Sequence, residues 1–428
     1  MSAQVNGIFQ TIYGRIHGML FSPLYRNSLY LMAATITSSG AGFVFWWVSA
    51  RITTQADVGL ASSAIAAITL LKSIGEIGLS TTLIHFGASQ EKGAVKLLST
   101  LIVVKWILML ILTVGFVVGL PIFSPGLMPL YDSPPVLLAF IIFTIIDGIL
   151  ALQDLAMLNL GKGQYVFFRQ IACNLPPTLL LLVFAQFVTT YEALFLAYVI
   201  PNMVVGVVTS LYVLPNNYPG YRFFGSFNLE IFRNVLPYGM VNYISDLLWS
   251  LPGNLIPVIT ISILAADDAG LFNISWLIFG VVLIIPRVST TSMFVEVSKN
   301  KDAIGANALK TIRFVILLIT PICVVMWLFG DFILSVFGKD YSNIDLLRVL
   351  LLSAYPFSIN SVHYIMLRAI GNLWNITIFA FFSALATSVS LFVLSSIYGM
   401  NGIGYAWLLG QSLTMIFPIV VIGRRYFR

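Results

Sequence analysis

Apolar stretches of about twenty residues recur along the whole chain, separated by short polar connections. A helix with about 20 such residues crosses the roughly 30 Å hydrocarbon core of a membrane. Of the 428 residues, 59% are hydrophobic and 9% are charged, whereas roughly 25% of the residues in a soluble domain are charged. The polar surface that a soluble protein needs is missing, which excludes a soluble enzyme, a nucleic-acid-binding module and a disordered chain. The sequence therefore predicts a polytopic membrane protein.

We predict an all-α protein with about twelve membrane-spanning helices. The candidate spans are 29–50, 57–83, 97–119, 136–158, 171–188, 194–214, 235–264, 269–296, 309–329, 346–367, 375–397 and 403–422. The long seventh span contains three prolines, which predict kinks. When the spans alternate in direction, most Lys and Arg residues of the short connections fall on the side of the N-terminus. The positive-inside rule then predicts cytoplasmic N- and C-termini in the cell membrane.

Residues 1–28 precede the first span and lack the apolar core and cleavage site of a signal peptide. Their apolar residues recur at three- and four-residue spacing, which fits a helix lying in the membrane interface. An irregular tail is the alternative for this segment. We predict an interfacial segment at 1–28, an N-lobe at 29–214, a cytoplasmic linker at 215–230 and a C-lobe at 231–428.

The division into two lobes is based on a weak internal repeat. The run Asp57-Val-Gly-Leu-Ala resembles Asp268-Ala-Gly-Leu-Phe, and further pairs such as Gly119 with Gly330 follow in the same order at nearly constant spacing. Six spans separate the two copies, so they have the same orientation in the membrane. Such parallel repeats are related by an axis along the membrane normal. We expect two pseudo-symmetric six-helix lobes that face each other across a cleft, as in a transporter.

Four cations lie at or near membrane depth, where charges are costly and normally face a cavity or a partner. In one interpretation they line a substrate cavity that holds an anionic group such as phosphate or pyrophosphate. In the other they are structural, because Lys72 and Glu76 share a helix face and neutralise each other, and Lys105 extends towards the headgroups. The candidate cavity residues are Arg51, Lys72, Lys105 and Arg287.

Four carboxylates are candidates for a gate or for ion coupling, namely Glu76, Asp147, Asp154 and Asp246. The repeat places Glu76 and Arg287 at matching depth, and we predict that they meet across the lobes in one state. Asp147 and Asp154 are seven residues apart and share a helix face. Buried carboxylates can carry H⁺ or hold Na⁺. Structural pairing with a nearby Lys or Arg is the equal alternative.

Catalytic and metal-binding motifs are not expected. The two cysteines lie in apolar runs and the three histidines are far apart, so no metal site is predicted. No nucleophile–base pair suggests an enzyme, and no cofactor is expected beyond a possible coupling ion. Tryptophans such as Trp249 and Trp276 lie near span ends or kinks, where interfacial anchoring is usual, although aromatic residues in a cleft can stack on sugar rings.

Three short segments resemble a known family. The run Gly40-Ala-Gly-Phe-Val-Phe-Trp-Trp-Val-Ser-Ala-Arg51-Ile-Thr-Thr-Gln-Ala-Asp57-Val-Gly resembles the first two helices of polysaccharide-biosynthesis membrane proteins. The stretch that begins at Gly75-Glu-Ile-Gly resembles the segment that follows. Met366-Leu-Arg-Ala-Ile-Gly371-Asn resembles the family's turn after helix ten. The polysaccharide-biosynthesis proteins that these segments resemble are the Wzx-like lipid-linked oligosaccharide flippases of the multidrug/oligosaccharidyl-lipid/polysaccharide exporter superfamily.

The resemblance implies a V-shaped, two-lobed transporter that moves a polyprenyl-linked oligosaccharide or polysaccharide precursor across the membrane by alternating access. Its partners would be an anionic lipid-linked glycan, membrane lipids and glycan assembly enzymes, without nucleic acid. The buried cations agree with the cationic central cavity that the family implies. A multidrug or cation antiporter of the same superfamily is the main alternative. A membrane glycosyltransferase or ligase acting on the same lipid carrier is a more distant one.

Overall fold

The structure is a computed structural model that describes residues 23–87, 93–188, 190–223, 225, 227–299 and 304–420. The first 22 residues of the predicted interfacial segment lie outside these ranges. The first helix begins at Pro23. We call the membrane face at which this helix begins the basic face, because the sequence predicts the Lys- and Arg-rich connections there, and we call the other the opposite face.

In the described ranges, the N-terminal half forms eight helices of nine residues or more. They are α1 (Pro23–Ile52), α2 (Gln55–Ile74), α3 (Leu79–Gly87), α4 (Ala94–Val118), α5 (Pro134–Asn159), α6 (Gly163–Asn174), α7 (Pro176–Phe184) and α8 (Tyr191–Val208). Short helical turns at Leu120–Phe123, Pro125–Leu127 and Pro129–Asp132 connect α4 to α5, and the π-helical turn Thr209–Val213 leads from α8 into Leu214–Asn217. Helices α2 and α3 form one broken span, as do α6 and α7.

The described part of the C-terminal half forms five long helices. They are α9 (Leu229–Ile263), α10 (Ala266–Lys299), α11 (Ile304–Leu328), α12 (Ile344–Ile370) and α13 (Leu373–Thr414), with short turns at Gly330–Ser335 and Lys339–Tyr341 between α11 and α12. Pro237, Pro252 and Pro257 lie inside α9, as the sequence predicted. A proline removes one helical hydrogen bond and crowds the preceding turn.

Eleven helical stretches in the described ranges are long and apolar enough to cross a membrane. The last of them, Leu373–Val420, has 48 residues, enough for about 70 Å of straight helix, and it turns back at Gly399 (φ 57°, ψ −133°). A Cβ on Gly402 would lie 1.9 Å from the Leu394 carbonyl oxygen, and one on Gly410 would lie 2.6 Å from the Thr387 Cα. The two limbs of α13 are therefore antiparallel, so the eleven stretches supply twelve candidate spans, the number predicted from the sequence.

The lobes meet near the opposite face through a reciprocal contact between α2 and α10. A Cβ on Gly59 would lie 2.0 Å from the Ala266 carbonyl oxygen, and one on Gly270 would lie 2.2 Å from the Gln55 carbonyl oxygen. Gly59 and Gly270 occupy equivalent positions in the two copies of the sequence repeat. In each lobe the equivalent glycine packs against the equivalent carbonyl oxygen of the other lobe. Such a reciprocal contact is expected when two units are related by a two-fold axis.

Nearer the basic face, α9 of the C-lobe packs on α3 of the N-lobe. A Cβ on Gly239 would lie 2.5 Å from the Gly78 carbonyl oxygen. Tyr238 stacks on His85 with ring centroids 4.3 Å apart. The lobes therefore touch near both faces.

A cationic and aromatic cavity as the candidate functional site

A cavity of about 480 Å³ lies in the C-lobe at membrane depth. Its walls come from α9, α10, α12 and the second limb of α13, and Asn254 of its lining bonds to Ser73 of α2 at 3.0 Å. The cavity thus lies against the lobe interface. The residues that give it charge and aromatic surface are Asp246, Trp249, Arg287, Tyr364, Arg368 and Trp407.

One wall of the cavity carries a neutralised carboxylate. Asp246 Oδ1 accepts hydrogen bonds from the Arg368 guanidinium at 2.8 Å and from the Tyr364 hydroxyl at 2.6 Å. Tyr364 and Arg368 are four residues apart and therefore lie on one face of α12. Directly after them the helix ends at Gly371, whose φ of 80° is readily adopted only by glycine. Asp246, a predicted coupling residue, is thus held by two partners.

Arg287 lines the same cavity without a carboxylate partner. Among the described residues, no carboxylate oxygen lies within 4.0 Å of its guanidinium nitrogens. The hydroxyls of Thr290 and Thr291 bond back to the Arg287 carbonyl oxygen, so they do not occupy the guanidinium. The cavity therefore carries an uncompensated positive charge, and a guanidinium pairs well with phosphate oxygens.

Aromatic rings make up much of the remaining wall. Trp249 stacks on Tyr364 with centroids 4.8 Å apart and an interplanar angle of 12°. Trp276 and Trp407 meet edge to face at 5.2 Å. The sequence favoured interfacial anchoring for Trp249 and Trp276, but the structure places both in the cavity lining. Flat apolar faces beside polar groups suit the alternating CH and OH surfaces of a sugar.

A second group of charges lies inside the N-lobe and joins α2 to its neighbours. Lys72 Nζ pairs with Asp147 Oδ2 of α5 at 2.5 Å, and Lys105 Nζ of α4 pairs with Glu76 Oε2 at 2.8 Å. The predicted pairing of Lys72 with Glu76 is replaced by these two pairs between helices. Glu76 and Arg287 do not meet in this conformation, because Glu76 is bound to Lys105.

The other two candidates lie apart from both groups. Asp154 forms a two-pronged ion pair with Arg169 of α6, in which the Arg169 Nε–Oδ1 distance is 2.5 Å. Arg51 Nε donates to the Val336 carbonyl oxygen at 2.8 Å near the opposite face. Nearby, Asp57 caps α2 and accepts the Tyr191 amide at 2.8 Å. Arg51 and Asp57 of the family-like segment thus connect helix ends, and Arg51 is not part of the cavity lining.

Three partners of the candidate carboxylates, Tyr364, Arg368 and Arg169, are not predicted by the sequence. The charge pattern places both arginines in the connections of the basic face, yet each pairs with a candidate carboxylate. The four-residue spacing of Tyr364 and Arg368 was the available signal, because it places both on one helix face. Within the described ranges, no three His, Cys, Asp or Glu side chains come together as possible metal ligands.

Two known protein families match this chain. Residues 24–294 match the family described as "Polysaccharide biosynthesis protein". The chain belongs to the polysaccharide biosynthesis protein family. Residues 297–394 of this family member match the MatE family. No curated protein matches the sequence significantly.

Solved structures with the same fold include lipid transporters and drug transporters. The lipid II flippase MurJ in an inward closed conformation matches with a TM-score of 0.70 and 14% identity, over 92% of this chain and 87% of that chain. An inward-facing multidrug resistance MATE family transporter of the MOP superfamily matches with a TM-score of 0.67 and 17% identity, over 93% and 94%. Its outward-facing counterpart has a TM-score of 0.59 and 16% identity, over 94% and 95%.

These matches confirm the family resemblance and the all-α transporter fold predicted from the sequence. This polysaccharide biosynthesis protein is a multi-pass membrane protein with the fold of MATE transporters and of MurJ.

Proposed function

We propose that this protein is a flippase that moves a polyprenyl-linked glycan precursor across the cell membrane by alternating access between its lobes. The observation that carries the proposal is the uncompensated Arg287 in an aromatic cavity at membrane depth. A cation without a partner at this depth is costly unless it serves a ligand or an aqueous cavity. Membership of the polysaccharide biosynthesis family supplies the class of ligand.

The chemistry of the cavity matches the two parts of such a ligand. Arg287 is free to bind a phosphate or pyrophosphate. Arg368 can bind the same anion if the anion displaces Asp246 from the Arg368 guanidinium. The stacked rings of Trp249 and Tyr364 offer an apolar face to a sugar ring. The prenyl chain stays in the bilayer, because about 0.8 kcal/mol per CH₂ favours its burial there. Glycan assembly enzymes would deliver the substrate.

The orientation of the chain and its energy source belong to the same proposal. We propose that the basic face is cytoplasmic, with both termini on that side, because short connections rich in Lys and Arg are retained in the cytoplasm. We further propose coupling to H⁺ or Na⁺ through Asp147 or Asp246. Each of these carboxylates has a cationic partner that the transport cycle can remove.

The test is leaflet exchange of polyprenyl-pyrophosphate-linked oligosaccharides in proteoliposomes, with and without H⁺ or Na⁺ gradients. We expect the wild type to exchange them and R287Q to lose at least tenfold in rate. R313Q is the matched control, because Arg313 is an arginine of the C-lobe that does not line the cavity. Exchange by R287Q at the wild-type rate, or no exchange of any lipid-linked glycan by the wild type, would contradict the proposal.

A multidrug or cation exporter is the second candidate, favoured by the MatE match at residues 297–394. Its substrates are cations, and Arg287 and Arg368 would repel them in this cavity. The same proteoliposomes separate the two functions. Accumulation of organic cations without exchange of lipid-linked glycans would establish the exporter, and R287Q would then leave or raise that activity.

A further inference from the structure

The buried ammonium of Lys105 lies at the end of α2 and donates hydrogen bonds to three oxygen atoms. The residue is 1% exposed. Its Nζ donates to the Gly75 carbonyl oxygen at 2.9 Å and to Glu76 Oε2 at 2.8 Å, and it lies 3.5 Å from the Lys72 carbonyl oxygen. Two carbonyls and a carboxylate around one positive charge form a donor set that also suits a small monovalent cation.

These carbonyl oxygens are available because the span breaks after α2. The last carbonyls of a helix lack partners within the helix and carry the negative end of its dipole. Here the chain leaves the helical conformation at Ile77 (φ 33°) and Gly78 (φ 77°). The Tyr243 hydroxyl of the C-lobe donates a hydrogen bond to the Ile74 carbonyl oxygen. The Lys72 and Gly75 carbonyl oxygens face the Lys105 ammonium instead.

The carboxylate of this set is fixed in place. Glu76 Oε1 accepts the Ser80 amide at 2.7 Å, at the start of α3, while Oε2 faces Lys105. The neighbouring Lys72 is already paired with Asp147. Removing the Lys105 charge would therefore leave a partly buried carboxylate and two carbonyl oxygens without a cation, and an unpaired charge away from water is unfavourable.

We propose that Lys105 acts as a tethered cation that permanently fills a monovalent-cation site at the break between α2 and α3. The native N-lobe then needs no free Na⁺ at this break. Shortening the side chain at position 105 exposes the site, which then takes Na⁺ from solution. Any Na⁺ that the native protein uses for coupling must bind elsewhere.

The test compares the thermal midpoint of purified full-length variants in NaCl and in choline chloride at equal ionic strength. We expect K105A to be destabilised in choline and to regain several degrees in Na⁺, with a saturable dose response. The wild type should show no such Na⁺ dependence. K105M is the matched control, because methionine removes the charge but fills the space, and it should be destabilised without a response to Na⁺.

Three results would overturn the proposal. One is an equal response of K105A and K105M to Na⁺. Another is a Na⁺-dependent midpoint of the wild type that K105A does not enlarge. The third is recovery of K105A at low pH alone, which would show that a proton on Glu76 replaces the ammonium. If K105A does not fold in choline, the yield of folded protein purified in NaCl becomes the measurement, and no recovery there rejects the site.

Discussion

At the scale of single residues, oppositely charged side chains at membrane depth form pairs. Lys72 with Asp147, Lys105 with Glu76, and Asp246 with Arg368 each join different helices. A buried pair is a weak source of stability, but breaking one by removing a single partner is expensive. The pairs thus link neighbouring helices, whereas Arg287 has no carboxylate partner among the described residues and points to a ligand.

The pair of Asp154 and Arg169 gives a residue-scale prediction. Arg169 is 7% exposed, and its removal leaves the Asp154 carboxylate largely buried without a counter-charge. We expect R169A to lose about 3–5 kcal/mol of stability, measured as a lowered thermal midpoint in detergent. The double variant R169A/D154A should be more stable than R169A. If R169A is as stable as the wild type, the pair is not buried as the structure shows.

At the scale of helices, glycines determine where two backbones meet. The contact of α2 with α10 depends on Gly59 and Gly270, and the fold of α13 depends on Gly399. At the first two positions a side chain would collide with a carbonyl oxygen of the other lobe. At Gly399 it would strain the backbone instead.

The substitution G270A should weaken the contact between the lobes near the opposite face. Its Cβ would lie 2.2 Å from the Gln55 carbonyl oxygen, and backbone atoms cannot rotate away as a side chain can. We expect spin labels on the two lobes at this face to move apart, and the protein to favour a state open there. G280A is the control on the same helix, because its Cβ meets no atom within 4 Å. Identical label distances in both variants would reject this role for Gly270.

The substitution G399A should destabilise the hairpin between the two limbs of α13. No atom lies within 4 Å of a Cβ at this position, so the effect comes from the backbone alone. Holding a non-glycine residue in such a conformation costs about 1–3 kcal/mol. The measurement is hydrogen exchange of the two limbs, which we expect to be faster. G115A also adds a Cβ in open space but without positive φ, and it should not destabilise the protein.

At the scale of the whole molecule, the two lobes are joined near both faces around a cavity that belongs mainly to the C-lobe. Near the opposite face the Gln55 side chain donates to the Asp340 carbonyl oxygen, and Trp47 donates to the Val336 carbonyl oxygen at 2.9 Å. Alternating access requires the contacts of one face to open while those of the other hold.

Cross-linking the lobes near the opposite face should stop transport. We expect Q55C/D340C treated with a short bis-maleimide to lose leaflet exchange of lipid-linked glycans in proteoliposomes. The native thiols of Cys173 and Cys323 are buried and should not react. Each single cysteine variant with the same reagent is the control. Unchanged exchange in the cross-linked protein would mean that the lobes do not separate at this face.

The sequence alone determined the membrane class, the twelve spans, the family and the two-fold repeat. These properties follow from local composition, from the periodicity of apolar residues and from short motifs such as the one around Asp57 and Gly59. Each of these signals lies within a short segment of the chain. Membrane spans can be predicted from the sequence because a chain that crosses the bilayer must satisfy its backbone hydrogen bonds internally, which requires a long apolar helix at each crossing.

Only the tertiary structure decided which charges pair and which one is free. The sequence selected Lys72, Lys105 and Arg287 alike, since their depth is similar, but a partner can come from any helix at any distance along the chain. Packing of α2 against α4 and α5 neutralised the two lysines, whereas no carboxylate was brought to Arg287. The uncompensated charge, and with it the candidate site, is a property of helix packing in three dimensions.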